Sequence, residues 1–400
     1  MRRSQTRQPQ PSGLKNIWRA VAAFVTIMTA ASCAGANAPQ PRSSATSGPE
    51  TELTDVLGRH VRVKVPSGRI LLDGGRYLYT TALLNKDNPI DRIVGWPNDL
   101  PQNDPGTLQT YQNKFPDVAN VPITGDLWDN SFSVEQAIHL RPDVFVMSAS
   151  SFAAALDAGI IDKLDDAGIP TIVLDYFVDP VKNTVPSVNL FGKLLGRERQ
   201  AEAFTSYYQA KMDDVRQRLA AAKAPATPAF LWRAPGYFEC CSSFAKSNLA
   251  ALVAYAGGNN LADGMLPGQQ GTISPEAVLT SNPDVILATG ANWSPDTPAA
   301  PGTFVPLGYD QSPGTAEDQL RAIVDKQAGF STLSAVRNHR TYAVWHHFYD
   351  SPYNYLAVQW FAKWLHPELF TDIDPDAGLR ELHEKFLPIA ASGTFWTALP

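Results

Sequence analysis

The sequence predicts an α/β protein built as two lobes, and three observations carry that prediction. The phrase SVEQAIHLRPDVFVMS at 133–148 returns as SPEAVLTSNPDVILAT at 274–289, about one domain length later. Strand-like apolar runs alternate with helical stretches in both halves, the pattern of parallel sheets covered by helices. Between the halves lies a stretch with apolar residues three and four apart, long enough for an extended helix. The 400 residues also exceed what one core ordinarily holds.

The elements follow in order. Arg2, Arg3, Arg7, Lys15 and Arg19 precede an apolar run, Ala20 to Ala31, that is too short to span a bilayer as a helix. It ends in Ala30-Ala31-Ser32-Cys33, which resembles a bacterial lipobox. Residues 1–33 therefore read as a lipoprotein signal peptide, with Cys33 acylated. Residues 34–53, rich in Pro, Ser, Ala and Gly, read as a flexible tether. The N-terminal α/β lobe is expected over 54–182. It contains a hairpin signal in HVRVK, strands near 69–72, 90–96, 144–147 and 171–174, and helices near 77–84 and 160–167. Residues 97–126 read as a long loop. In the repeated phrase Ser133 is a helix N-cap, Glu135 an acid in the first turn, and Pro142 the stop before a buried strand.

A connecting helix is expected over 183–224, with a break near Gly196. The C-terminal α/β lobe, 225–400, repeats the plan. Strands are expected at 229–232, 285–287 and 340–344, and helices at 248–256, 275–280, 356–364 and 377–386. Residues 291–315 read as a Pro/Gly-rich loop.

Composition narrows the function. Net charge is −6 with scattered Lys and Arg, which argues against a nucleic-acid partner. Beyond Cys33 the body has only Cys240 and Cys241, too few for a disulfide framework. They suit a vicinal disulfide, two buried thiols or a soft metal site. No H-E-x-x-H, nucleophile elbow or phosphate loop is present, so no catalytic residue is assigned.

Ligands of α/β sheets bind beyond the carboxyl ends of the strands. That rule selects Arg76, Tyr77, Trp128, Tyr176, Trp232, Arg233, Tyr237, Trp293, His346, His347 and Tyr349 as ligand-binding candidates. Aromatic walls suit a bulky organic ligand, and Arg233 and Arg76 suit an anionic chelate. His346 and His347 are candidate metal ligands, although adjacent residues on an extended segment point opposite ways.

TDVLGRHVRV, the doubled S-x-E…PDV phrase, the central helix, GGNNLA (257–262) and HPELF (366–370) together resemble the periplasmic binding proteins of iron-siderophore, haem and cobalamin importers. The resemblance covers about Thr54 to Pro388. It implies two lobes joined by one long rigid helix, with the ligand in the cleft and little lobe movement. It implies an ABC permease with its ATPase as partner, met by Glu135 and Glu276, one from each lobe. It implies no intrinsic cofactor and a ferric siderophore or other metal chelate as cargo, with haem, cobalamin or a nickel complex as alternatives. The protein is then an exported monomer, lipid-anchored to the cell membrane on its outer or periplasmic face. A reading of another class is a secreted metalloenzyme using His346 and His347.

Overall fold

Two five-stranded sheets carry the chain, and each grows from its middle outward. The computed structural model describes residues 46–293 and 300–400. The signal segment, Cys33 and the tether to residue 45 lie outside the described residues. Ordered backbone starts before Thr54. β1 (Glu50–Thr54) pairs antiparallel with β2 (His60–Lys64), setting Glu50 opposite Lys64. The alternating HVRVK strand thus finds its partner in the last residues expected to be tether.

The first sheet comprises β3 (Ile70–Leu72), β4 (Ile93–Pro97), β5 (Ile123–Thr124), β6 (Val144–Ser148) and β7 (Thr171–Leu174). Their order is β5-β4-β3-β6-β7, all parallel. The chain lays down β3, steps outward to β4 and β5, then returns to place β6 and β7 on the other side. The loops leaving β3 and β6 therefore part, which makes a switch point.

The second half supplies β8 (Thr227–Trp232), β9 (Ser242–Phe244), β10 (Gly258–Asn260), β11 (Gln270–Thr272), β12 (Val285–Gly290), β13 (Thr341–Trp345) and β14 (Trp396–Ala398). Its main sheet runs β10-β8-β12-β13-β14, parallel except for the edge strand β14. β9 and β11 form a separate antiparallel pair. Apart from the outermost strands the two sheets share one order, so β8 stands where β3 stands and β12 where β6 stands.

The repeated phrase is the unit that fixes this likeness. Ser133 caps helix Val134–His139 by accepting the Gln136 N–H at 3.2 Å. Ser274 caps helix Pro275–Ser281 by accepting the Ala277 N–H at 3.1 Å. Each Pro-Asp then enters its strand through the same bond. The Asp143 N–H donates to the Arg69 carbonyl at 2.7 Å, and the Asp284 N–H to the Pro228 carbonyl at 3.0 Å. Both bonds set a strand's register against the central strand of its lobe.

The connection consists of two packed helices, Pro180–Leu195 and Glu198–Ala222, parted at Gly196 with φ +65°. The second has 25 residues and runs about 37 Å at 1.5 Å per residue. Its buried face includes Phe204, Tyr208, Met212 and Val215, the spacing read from the sequence. It seats against helix Leu78–Leu84 of the first half and helix Asn354–Leu365 of the second.

Two expected loops hold structure instead. Residues 97–126 include helices Asp99–Asn103 and Pro105–Lys114 as well as β5. Asp104 caps the second of these and Pro105 opens it, so residues that suggest a loop are the helix's own start signals. Likewise the 291–315 loop gives way at Pro313 to helix Pro313–Lys326, capped by Ser312.

Candidate ligand-binding cavity

A cavity of about 410 Å³ lies where the carboxyl ends of the two sheets face each other, within the size range of organic-ligand sites. Asp73 and Gly74 enter its wall just after β3, and Ser148, Ser150 and Ser151 at the end of β6. Tyr176 and Phe177 follow β7. From the second lobe come Arg233 after β8, Phe244 on β9, Gln270 on β11, and His346, Tyr349 and Asp350 after β13. The switch point of the first lobe, between β3 and β6, thus feeds the cavity.

Its floor is a polar seam across the lobes. The Gly75 N–H donates to Asp99 Oδ1 at 2.5 Å. A Cβ on Gly75 would lie 3.1 Å from that oxygen and 3.0 Å from Leu100 Cβ, so a side chain there would crowd the seam. Arg76 Nε donates to Asp99 Oδ2 at 2.8 Å, while Nη1 pairs with Asp350 and donates to the Tyr349 hydroxyl. Two more bonds cross the same seam. The His347 Nε2–H donates to the Asn103 carbonyl at 2.9 Å, and the Tyr353 hydroxyl to the Tyr79 carbonyl at 2.7 Å. Arg76 lines the cavity, but two carboxylates already neutralise it. It is not the free cation expected from the sequence.

Arg233 is the contrasting case. Its guanidinium lies 4.3 Å from the Phe238 ring centroid and 5.0 Å from that of Phe244. Nε has no hydrogen-bond partner, and among the described residues Arg233 forms no ion pair. Burial lowers its pKa while Tyr349 opposes the shift. Guanidinium stays charged in proteins, so Arg233 presents a cation held by aromatic faces.

The histidines lie on a short 3-10 turn, His346–Asp350, rather than on an extended segment. His346 Nδ1 hydrogen-bonds Thr289 Oγ1 at 2.8 Å, and its ring packs 4.7 Å from Tyr349. Burial holds its pKa well below the usual range, with His347, Arg233 and Arg76 adding to the effect. Burial and then Arg76 push His347 down to about 3. Both imidazoles are neutral near pH 7. His347 is 1% exposed and does not reach the cavity wall, because its Nε2 is spent on Asn103. The paired metal-ligand expectation is corrected accordingly, with His346 alone facing the cavity. Among the described residues no group of three His, Cys, Asp or Glu could hold a metal ion. Cys240 and Cys241 are joined to each other in a disulfide, so neither offers a thiolate.

Of the other candidates, Tyr77, Trp128, Tyr176 and Tyr349 stand on the wall. Trp232 does not. It is 1% exposed and packs 5.3 Å from Phe330, because strand alternation turns it away from the side Arg233 faces. Tyr237 and Trp293 pack on each other at 4.7 Å outside the wall, and Trp293 braces His346 at 5.4 Å. Sequence reasoning missed Asp73, although it directly follows the first strand and the carboxyl-end rule reaches it. It also missed Phe244 and Gln270. Their strands are three residues each, too short to leave a periodic signal.

Asp73 gives a pH prediction. Burial raises its pKa to about 7, opposed by the Ser148 N–H, which it accepts at 2.9 Å. A carboxyl raised above its unfolded value costs stability above pH 7, and that cost fades as pH falls towards 4. Asp73→Asn should therefore be more stable than the parent at pH 8, by up to about 4 kcal/mol, with the gain gone near pH 4. Urea unfolding at both pH values checks this. A gain that does not depend on pH would mean Asp73 is not charged at pH 8.

A family model described as periplasmic binding protein matches residues 92–344. The ABC transporter substrate-binding lipoprotein YvrC of Bacillus subtilis is 25% identical over 243 residues, covering 59% of this chain and 64% of that relative. The match spans just under two thirds of that relative's length. The TroA-like periplasmic binding protein FepB from Veillonella parvula aligns with a TM-score of 0.78 at 28% identity, over 87% of this chain and 99% of that one. MolA from Haemophilus influenzae, bound to molybdate, aligns at 0.63 and 19% identity over 86% and 99% of the two chains, a likeness of fold alone.

Proposed function

The chain belongs to the periplasmic binding protein family, and on that premise we propose that it is the solute-binding component of an ABC importer. In this reading it captures a metal chelate, a ferric siderophore, and hands it to a permease driven by an ATPase. The family consists of binding proteins rather than enzymes, so the metalloenzyme alternative on His346 and His347 falls.

One observation carries the cargo class. The cavity has the volume of an organic-ligand site, aromatic walls and an unneutralised guanidinium, but among the described residues no three-ligand metal set. A bare ion would meet His346 alone, whereas a chelate brings its own ligands. Tyr77, Trp128, Tyr176 and Phe244 offer faces to its body, and Arg233 can donate to its oxygens. Arg233→Ala should weaken ferric-siderophore binding by about 1.5–3 kcal/mol, the scale of charged hydrogen bonds. An unchanged dissociation constant would put Arg233 outside the contact.

The reading also places the protein at a membrane surface, held by a lipid on Cys33. Among the described residues no helix is long and apolar enough to cross a membrane. The relative YvrC is named a lipoprotein, which supports an anchor of this kind. Cys33→Ala should move the protein from the membrane fraction to the soluble one. Continued membrane association would reject the acylated cysteine.

A further inference from the structure

The charges on the cavity wall are unevenly divided. Five carboxylates, Asp73, Asp99, Asp126, Asp129 and Asp350, face the two guanidiniums of Arg76 and Arg233. Arg76 is matched by Asp99 and Asp350. That leaves Asp73, Asp126 and Asp129 on the first lobe and Arg233 on the second. Among the described residues none of these three acids has a cationic partner. Each instead accepts a backbone N–H: Asp73 from Ser148 at 2.9 Å, Asp126 from Trp128 at 2.8 Å, Asp129 from Ser131 at 2.9 Å. Backbone donors orient a carboxylate without cancelling its charge.

Two further features of the same wall point to a ligand. The Ser151 and Tyr176 hydroxyls belong to residues only 5% and 4% exposed, both on the wall, and neither oxygen completes a well-formed hydrogen bond, Ser151 lying towards the Asp73 carboxylate and Tyr176 towards the Thr80 hydroxyl. Buried hydroxyls left short of a full bond are costly unless something else completes them. Beside them Trp128 stands 62% exposed, set in the chain between Asp126 and Asp129. An aromatic face flanked by carboxylates is a recognition device for an organic cation.

We infer that the cavity selects a bipolar ligand, a metal chelate that carries a protonated amine which Asp126, Asp129 and Trp128 receive, while its oxygen-rich face meets Arg233. Asp73, Ser151 and Tyr176 stand on the same wall and add polar groups to it. A polyanionic chelate would meet Asp126 and Asp129, neither with a cationic partner among the described residues, and is disfavoured. The inference rests on the proposed chelate-binding role of this cavity and adds the ligand's charge class.

The test uses three ferric trihydroxamates with one iron core and one backbone. The first ends in a free primary amine, the second in the N-acetylated amine, and the third in the N-succinylated, anionic form. Dissociation constants come from quenching of intrinsic Trp fluorescence at fixed ionic strength. The amine form should bind at least about tenfold more tightly than the acetylated form, and the succinylated form should bind weakest. In Asp126→Asn/Asp129→Asn, which keeps the acceptors for Trp128 and Ser131, the amine preference should collapse while the acetylated form binds as before. If the acetylated or succinylated form binds the parent as tightly as the amine, the bipolar inference is overturned and the chelate reading stands. If none of the three binds while a ferric siderophore of another chemistry, haem or cobalamin does, the bipolar inference is overturned and the chelate reading stands; if no intact chelate binds, both fall.

Discussion

Arg76→Met is expected to destabilise the protein by about 3–5 kcal/mol at pH 8. The reason lies in what the substitution leaves behind. Asp99 and Asp350 have side chains only 6% and 15% exposed, and both lean on the Arg76 guanidinium. Without it, two carboxylates face each other in a poorly solvated seam, together with a Tyr349 hydroxyl that has lost its donor. The loss should shrink on acidification. Burial already raises Asp350 to about 7 with Arg76 opposing, so removing the cation raises it further. A carboxyl with a raised folded pKa gains stability as pH falls through that value. Adding Asp350→Asn should recover part of the loss at pH 8. Equal stability of Arg76→Met and the parent at pH 8 would mean the seam is well solvated and does not hold the lobes together.

Uptake should be abolished by Glu135→Lys combined with Glu276→Lys, with ligand affinity unchanged. Each acid occupies the first turn of a helix that leads into β6 or β12. Such a helix runs antiparallel to its strand, so its N-terminus lies towards the carboxyl end of the sheet, the same end as the cavity. Both side chains are exposed, and among the described residues neither forms an ion pair. Glu135 accepts the Ser133 hydroxyl at 3.1 Å and suits the helix dipole, so a purely local role must be separated from docking. A local role predicts a stability loss of about 0.3–1 kcal/mol per site and normal transport. Docking predicts lost transport in a folded, ligand-competent protein, and near-normal transport if permease residues opposite the two sites are reversed in charge. Normal uptake by the double variant would end the docking proposal.

Much of the architecture is legible in the sequence because it is written in local signals. Ser133 and Ser274 cap, Pro142 and Pro283 stop, and the apolar runs that follow are buried strands. The repeat between them anticipates the shared strand order of the two sheets. Gly196 marks the helix break because a left-handed residue is needed there. What stayed hidden depends on tertiary partners. Asp104-Pro105 reads equally as loop and as helix start, and packing decides. β14 pairs with β13 across a long stretch of chain, and three residues cannot announce that.

The cavity was legible by position but not by charge. The carboxyl-end rule found Arg76, Arg233 and His346, yet it could not say that Arg76 is neutralised across the seam while Arg233 is not. That difference depends on Asp350, remote in sequence and adjacent in space. It also depends on Phe238 and Phe244, which hold Arg233 without neutralising it. His347 shows the same limit, since its ring serves the seam through an Asn103 carbonyl that no local pattern predicts.

Binding of an intact metal chelate in the interlobe cavity is open to direct test. The most direct measurement is a fluorescence titration of residues 34–400, in which Trp128 on the wall is a built-in reporter. The ligands are ferric siderophores of several chemistries, haem, cobalamin, and free Ni²⁺, Cu²⁺ and Zn²⁺. An intact ferric chelate should quench saturably, with less quenching in Trp128→Phe and weaker binding in Arg233→Ala, and the bare ions should give no saturable response. Saturation by a bare metal ion alone, with every intact chelate silent, would contradict chelate binding in the cavity.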